Sequence, residues 1–293
     1  MKPSTSSQYQ FDLIDAVSFG YGAVWTERFY LLRLAIVPIL IKFASMVVIV
    51  AQGLNDTPLS QGLAFIPATL VEGWLLAQWL RTLIKNERWP IILHEEPDEK
   101  TLSYLMTRAR GIVACCLVYV LLMLVTYFLK YGYDQLIDTY LPKDVLESGL
   151  ESGASQDIRT LPFILIAMVA GIWSFRLFWL YIPFSVLVRP MDYLKYMGGF
   201  TASLRLLGVF LISMVPTLVL ATLISSVIVS PFAQGGEDAQ KIGQFLILFL
   251  GSIAEILIAL VVTASVAWSM RSLLPTANGC LPDIKKNNGD DFE

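Results

Sequence analysis

Apolar residues in this chain gather into six long runs separated by polar connections. The runs extend approximately from Tyr30 to Gln52, Leu63 to Ile84, Ile112 to Leu129, Leu161 to Val188, Leu206 to Phe232 and Ile242 to Met270. A helix needs about 20 predominantly apolar residues to cross a bilayer, and each run supplies such a length. Hydrocarbon offers no water to an unpaired peptide group, so runs of this kind are expected to cross as helices. The pattern predicts an all-α, polytopic membrane protein with six transmembrane helices.

The connections have periodicity of their own. Phe11, Ile14, Val17, Tyr21 and Val24 or Trp25 recur at helical intervals before the first run. Leu102, Leu105, Met106 and Ala109 do so before the third, and Met191, Leu194, Met197 and Phe200 before the fifth. Each set predicts a short amphipathic helix lying on the cytoplasmic face ahead of a hairpin of two spans, giving three hairpins in all. A short repeat follows the same division: Trp79 with Arg81, Trp173 with Arg176 and Trp268 with Arg271. Trp at headgroup level and Arg just beyond it would anchor each outgoing helix. Three regions result: a lead of residues 1–29 with the first interfacial helix, a transmembrane domain of residues 30–277, and a polar tail, 278–293, expected to be disordered.

Charge adds an orientation. Lys2, Arg28, Arg33, Arg81, Lys85, Arg88, Lys100, Arg108, Arg110, Arg189, Lys195, Arg205, Arg271, Lys285 and Lys286 fall on one set of alternate connections. The other set holds only Lys130, Lys143, Arg159 and Lys241. By the positive-inside rule both termini are expected in the cytoplasm, with the acidic 130–160 loop on the opposite face. Hydrophobic residues make up 56% and charged residues 15%, against about 25% charged in an ordinary soluble domain. The net charge of −3 says little when the signs are segregated, and a nucleic-acid partner has no support. The first run follows a polar lead, which fits an internal signal-anchor better than a cleaved leader. Cys115, Cys116 and Cys280 read as packing residues and a free thiol, because two are adjacent within a span and the third lies in a reducing compartment.

Charges inside the runs are the candidate functional residues. Lys42 and Glu72 fall halfway along successive antiparallel helices and are expected to meet. Glu255 lies near the middle of the sixth run and Arg176 in the overlong fourth. A lone charge at the membrane centre costs about 2.5 to 3.5 kcal/mol even on mild scales, so these four should face the bundle interior and find partners. They make either a polar site or proton path, or structural ion pairs that lock helices together. Glu255 is expected beside Arg176, although the repeat pulls Arg176 toward the cytoplasm. Pro38, Pro67, Pro183 and Pro216 mark candidate kinks, with Pro183 the expected break in the fourth run.

From Arg176 through Pro183 to Asp192, Gly198, Ser203 and Arg205, an Arg-Leu helix reaches a Pro and an amphipathic Ser-containing segment starts the next helix. This stretch resembles the YciC-like bacterial inner-membrane proteins and the membrane domain found beside some glycerophosphodiester phosphodiesterases. The resemblance implies a six-helix inner-membrane module without a reaction of its own; the phosphodiesterase catalytic domain is absent.

Enzyme signatures are mostly missing. His94 is the single histidine, which excludes an H-E-x-x-H zinc site, and His94 with Glu95 and Glu96 reads as a solvated charge run. No cofactor motif is recognised. The favoured expectation is a non-enzymatic module that organises or regulates membrane lipids or membrane partner proteins. Its first alternative is a transporter or permease for a small solute or lipid that uses the midplane charges, and a membrane enzyme is the third reading. A water-accessible cavity reaching Glu255 would favour transport, and a dry interior with closed ion pairs would favour the module.

Overall fold

The computed structural model describes residues 11–54, 57–90, 99–140, 161–233 and 235–274. The tail 278–293, Cys280, the histidine segment and the acidic loop beyond residue 140 lie outside these. Helices are the regular structure of the described residues, with no strand among them. In chain order the helices are α1 (Leu13–Thr26), α2 (Arg28–Ala51), α3 (Pro58–Ala64), α4 (Ile66–Lys85), α5 (Glu99–Tyr140), α6 (Leu161–Ser174), α7 (Tyr181–Ser185), α8 (Pro190–Tyr196), α9 (Phe200–Ala233) and α10 (Glu237–Ser269). A 3-10 segment, Phe175–Trp179, joins α6 to α7. Five spans are long and apolar enough to cross a membrane, and six when α3 and α4, bent by 57° where they meet, count as one.

Two of the six runs are therefore interrupted. In the second, the bend falls at Phe65 and Pro67 occupies the first turn of α4, where a missing N–H leaves no hydrogen bond unmade. In the fourth, the break comes before Pro183. The Tyr193 hydroxyl donates to the Arg176 carbonyl at 2.6 Å, while the Leu180 N–H turns to Leu177 at 3.1 Å. A hydroxyl has thus taken the carbonyl that Leu180 would need for an α-helical bond, and the chain tightens into 3-10 geometry. Pro183 lies inside α7, so the expected break at that proline is corrected to Phe175–Trp179. Pro38 lies within α2 and Pro216 within α9, as expected from the pattern.

The connecting helices also differ from the periodic reading. Positions 102–109 form no separate element but continue into α5, whose 42 residues rise about 60 Å. Nothing in that stretch breaks a helix, and Arg108 and Gly111 are buried along it. The third expected segment is divided: α8 stops at Tyr196, and Gly199, with φ of 115°, turns the chain before α9 begins. α1 is a distinct helix but docks on α9 and α10 through Ala16, Val17 and Gly20, leaving Ile14 and Trp25 outside. A Cβ on Gly20 would come within 2.8 Å of the Val261 carbonyl oxygen and closer still to Ser265 Oγ, so this contact requires glycine. The Tyr21 hydroxyl adds a bond of 2.8 Å to the Ser213 carbonyl.

The Trp/Arg repeat reappears with one member exchanged. Arg28 lies over the ring of Trp25 at 4.9 Å, Arg176 over Trp173 at 4.4 Å and Arg271 over Trp268 at 3.5 Å. In each case the Trp is the penultimate residue of a helix and the Arg falls two residues past its end, at α1, α6 and α10. Trp79 and Arg81 do not pair, since the Trp79 indole donates to the Leu260 carbonyl and Arg81 turns to Glu87.

Packing is uneven along the bundle. Every residue from Leu75 to Ile84 in α4, and from Leu260 in α10 to Met270 just past its end, is buried, with α1 and α7 packed around them. At the opposite end Leu218, Val219, Leu220, Leu223 and Val227 of α9 are exposed.

Candidate functional site

Three helices bring their midspan charges together. Lys42 of α2 lies 2.7 Å from Glu72 of α4 and 2.8 Å from Glu255 of α10. Lys42 and Glu72 are buried, whereas the Glu255 side chain is 52% exposed, so only Glu255 offers carboxylate surface to an incoming group. Tyr119 of α5 donates to the second oxygen of Glu72 at 2.7 Å. Its ring meets Tyr181 of α7 edge-on at 5.3 Å, and Tyr181 shares a hydrogen bond of 2.8 Å with Thr263 of α10. The Lys42–Glu72 pair matches the sequence expectation. The expected pairing of Glu255 with Arg176 is corrected: Glu255 shares Lys42, because α10 packs against both α2 and α4.

Arg176 belongs to a different locus. Its guanidinium donates to the Met197 carbonyl at 3.2 Å and stacks on Trp173, beside the connection that leads into α9. No carboxylate pairs with it among the described residues. Tyr193 of α8 holds the Arg176 carbonyl, and burial raises its phenol above the usual range.

A cavity of about 550 Å³ opens on the charged triad. Lys42, Glu72 and Glu255 form its polar end, and Tyr119, Phe175, Phe178, Trp179, Tyr181 and Phe210 supply aromatic walls. Phe175 packs edge-on against Trp179 at 5.8 Å and Phe210 of α9 at 5.5 Å, so the 3-10 segment contributes Phe175 and Trp179 to this wall and α9 contributes Phe210. A groove of about 570 Å³ between α9 and α10 also reaches Glu255, along Thr222, Ser225, Ser226 and Ser230.

One polar cluster escaped the sequence reading. Arg81, counted there among connection cations, is buried and bonded to Glu87 at 2.7 Å and to the Ser185 carbonyl at 2.8 Å. Arg108, also buried, donates to Gln78 at 3.1 Å, with its Nε 3.9 Å from Glu87. Glu87 just past the end of α4 was the available signal: an acid among basic residues on a short connection. These contacts fasten α4, α5 and α7 together.

Compared with known protein families, curated proteins and solved structures, the chain matches none. Fold and site define a class: an all-helical protein with five or six helices able to span a membrane and a charged triad at their middle.

Proposed function

We propose that the chain is a multipass membrane carrier whose substrate site is the cavity at Lys42, Glu72 and Glu255. One observation carries the reading: a ligand-sized cavity reaches a half-exposed carboxylate midway along the spans. Intramembrane ionisable groups facing a cavity commonly mark substrate or ion paths, and unwound helices line such sites. The interruption at Phe175–Trp179, which lines the cavity, fits that role. The arrangement proposed is six spans in three hairpins in a bacterial inner membrane, both termini cytoplasmic, with parts of α1, α8 and the start of α5 at the cytoplasmic surface. The basic connections support the orientation, and the stretch from Arg176 to Arg205 supports kinship with YciC-like proteins.

The organising-module reading draws on a separate observation. Lys42, Glu72 and Tyr119 form a closed, buried set that would serve as a structural lock with no substrate. Thiol accessibility separates the two. Thr126, on the cavity wall, is changed to Cys in a background with Cys115, Cys116 and Cys280 replaced, and sealed vesicles of both orientations are treated with a membrane-impermeant thiol reagent. A carrier labels from both faces, because the site alternates its access. Failure to label from either face would establish a dry bundle and favour the module. A second single cysteine at residue 95 should label only from the cytoplasmic side.

A further inference from the structure

Resting on the carrier reading, we propose that the cavity binds a lipophilic organic monocation, with Glu255 as its counter-charge and the aromatic walls as its cage. The triad holds one ammonium and two carboxylates, so its formal charge is −1. That surplus is not evenly available. Both carboxylates give an oxygen to Lys42, but Glu72 is buried and its second oxygen takes the Tyr119 hydroxyl, whereas Glu255 is half-exposed on the cavity lining.

The walls decide which cation fits. A small inorganic ion keeps its hydration unless several oxygens replace it, about six for calcium or magnesium. Here one open carboxylate faces a predominantly aromatic and aliphatic lining. A large, weakly hydrated cation needs no such oxygens. It gains from apolar contact and from ring faces, which attract cations, and the aromatic residues on α5, α6–α7 and α9 provide these. The volume lies within the ordinary range for small-molecule pockets, roughly 300 to 1,000 Å³. A choline lipid headgroup fits less well, because its phosphate would be held close to the two carboxylates. An anion of the same shape would meet the surplus negative charge directly.

Tetraphenylphosphonium and tetraphenylborate share size and shape and differ in sign. Equilibrium dialysis of each against the purified full chain in nonionic micelles, with protein-free micelles subtracted, tests the assignment. The phosphonium should bind saturably and the borate should stay at background. Glu255→Gln should weaken phosphonium binding about tenfold or more, while Glu255→Asp keeps most of it. Both variants should elute as the native protein does on size exclusion, which excludes unfolding as the cause. Equal retention of the two ions, no saturable phosphonium binding, or unchanged affinity in Glu255→Gln would each overturn the inference. Borate binding alone would place the recognition on Lys42, overturning the cation assignment and leaving the carrier reading intact. Conversely, Thr126 unreactive from both faces would end the carrier reading even where the phosphonium binds.

Discussion

Lys42 is the residue on which the site depends, because Glu72 and Glu255 share it. Breaking a buried ion pair leaves an uncompensated charge, at a cost of about 3 to 5 kcal/mol. Lys42→Met, which strands Glu72 and Glu255 together, should fall in that range. Glu72→Gln should cost distinctly less, since Lys42 keeps Glu255, and the double variant should recover much of the Lys42→Met loss. Thermal unfolding in detergent reads the comparison; additive losses would mean that the pair does not interact energetically. Half of this site was legible in the sequence. Lys42 and Glu72 lie on successive antiparallel spans at matching depth, so chain order alone brings them together. Glu255 is distant in sequence, and its partner follows from α10 lying against α2, a tertiary fact that no local pattern carries. Tyr119 lies within an apolar run, and no local pattern marks it as a partner of Glu72.

At the scale of the element, helix ends explain more than helix interiors. Carbonyls at a helix C-terminus favour a nearby cation, and the Trp ring beneath each Arg adds a cation–π contact. Such contacts give about 0.5 to 1 kcal/mol when exposed and about 2 when desolvated, so the setting of the ring ranks the three ends. Trp268 is buried and Trp25 is exposed. Arg271→Ala should therefore lower the melting temperature measurably more than Arg28→Ala, and equal losses would remove ring burial as the deciding factor. Gly20→Val should cost about 1 to 3 kcal/mol by forcing α1 away from α10, and dissociation of α1 should appear as faster amide exchange in residues 13–26. Span positions were legible because twenty apolar residues leave few alternatives to a membrane helix. The breaks were legible only in part: Pro67 marks the bend at Phe65, but the break in the fourth run was misplaced. Proline drew attention to position 183, while the cause lay in a hydroxyl on α8 that captures the Arg176 carbonyl. The second amphipathic segment was lost in α5 because periodicity cannot distinguish a surface helix from the first turns of a longer one.

For the whole molecule, the contrast between its two ends bears most on function. Around Leu75–Ile84 and Leu260–Met270 the bundle is packed on all sides, while Leu218, Leu223 and Val227 of α9 and Phe128 and Leu129 of α5 are exposed. Cavity, groove and triad lie between these regimes, joined by Glu255. A carrier needs a second state in which the loose half closes, and a ligand shifts the population only if it binds one state better. The packed half, fastened by Glu87 with Arg81 and Arg108, is suited to act as the fixed body, with α5 and α9 as the moving walls. Spin labels at Thr126 on α5 and Leu218 on α9, both on the cavity lining, report this directly by double electron–electron resonance. Two distance populations should be present, and tetraphenylphosphonium should redistribute them in the native background and leave them unchanged with Glu255→Gln. A single narrow distance, indifferent to the cation, would define a rigid bundle and return the triad to a structural role.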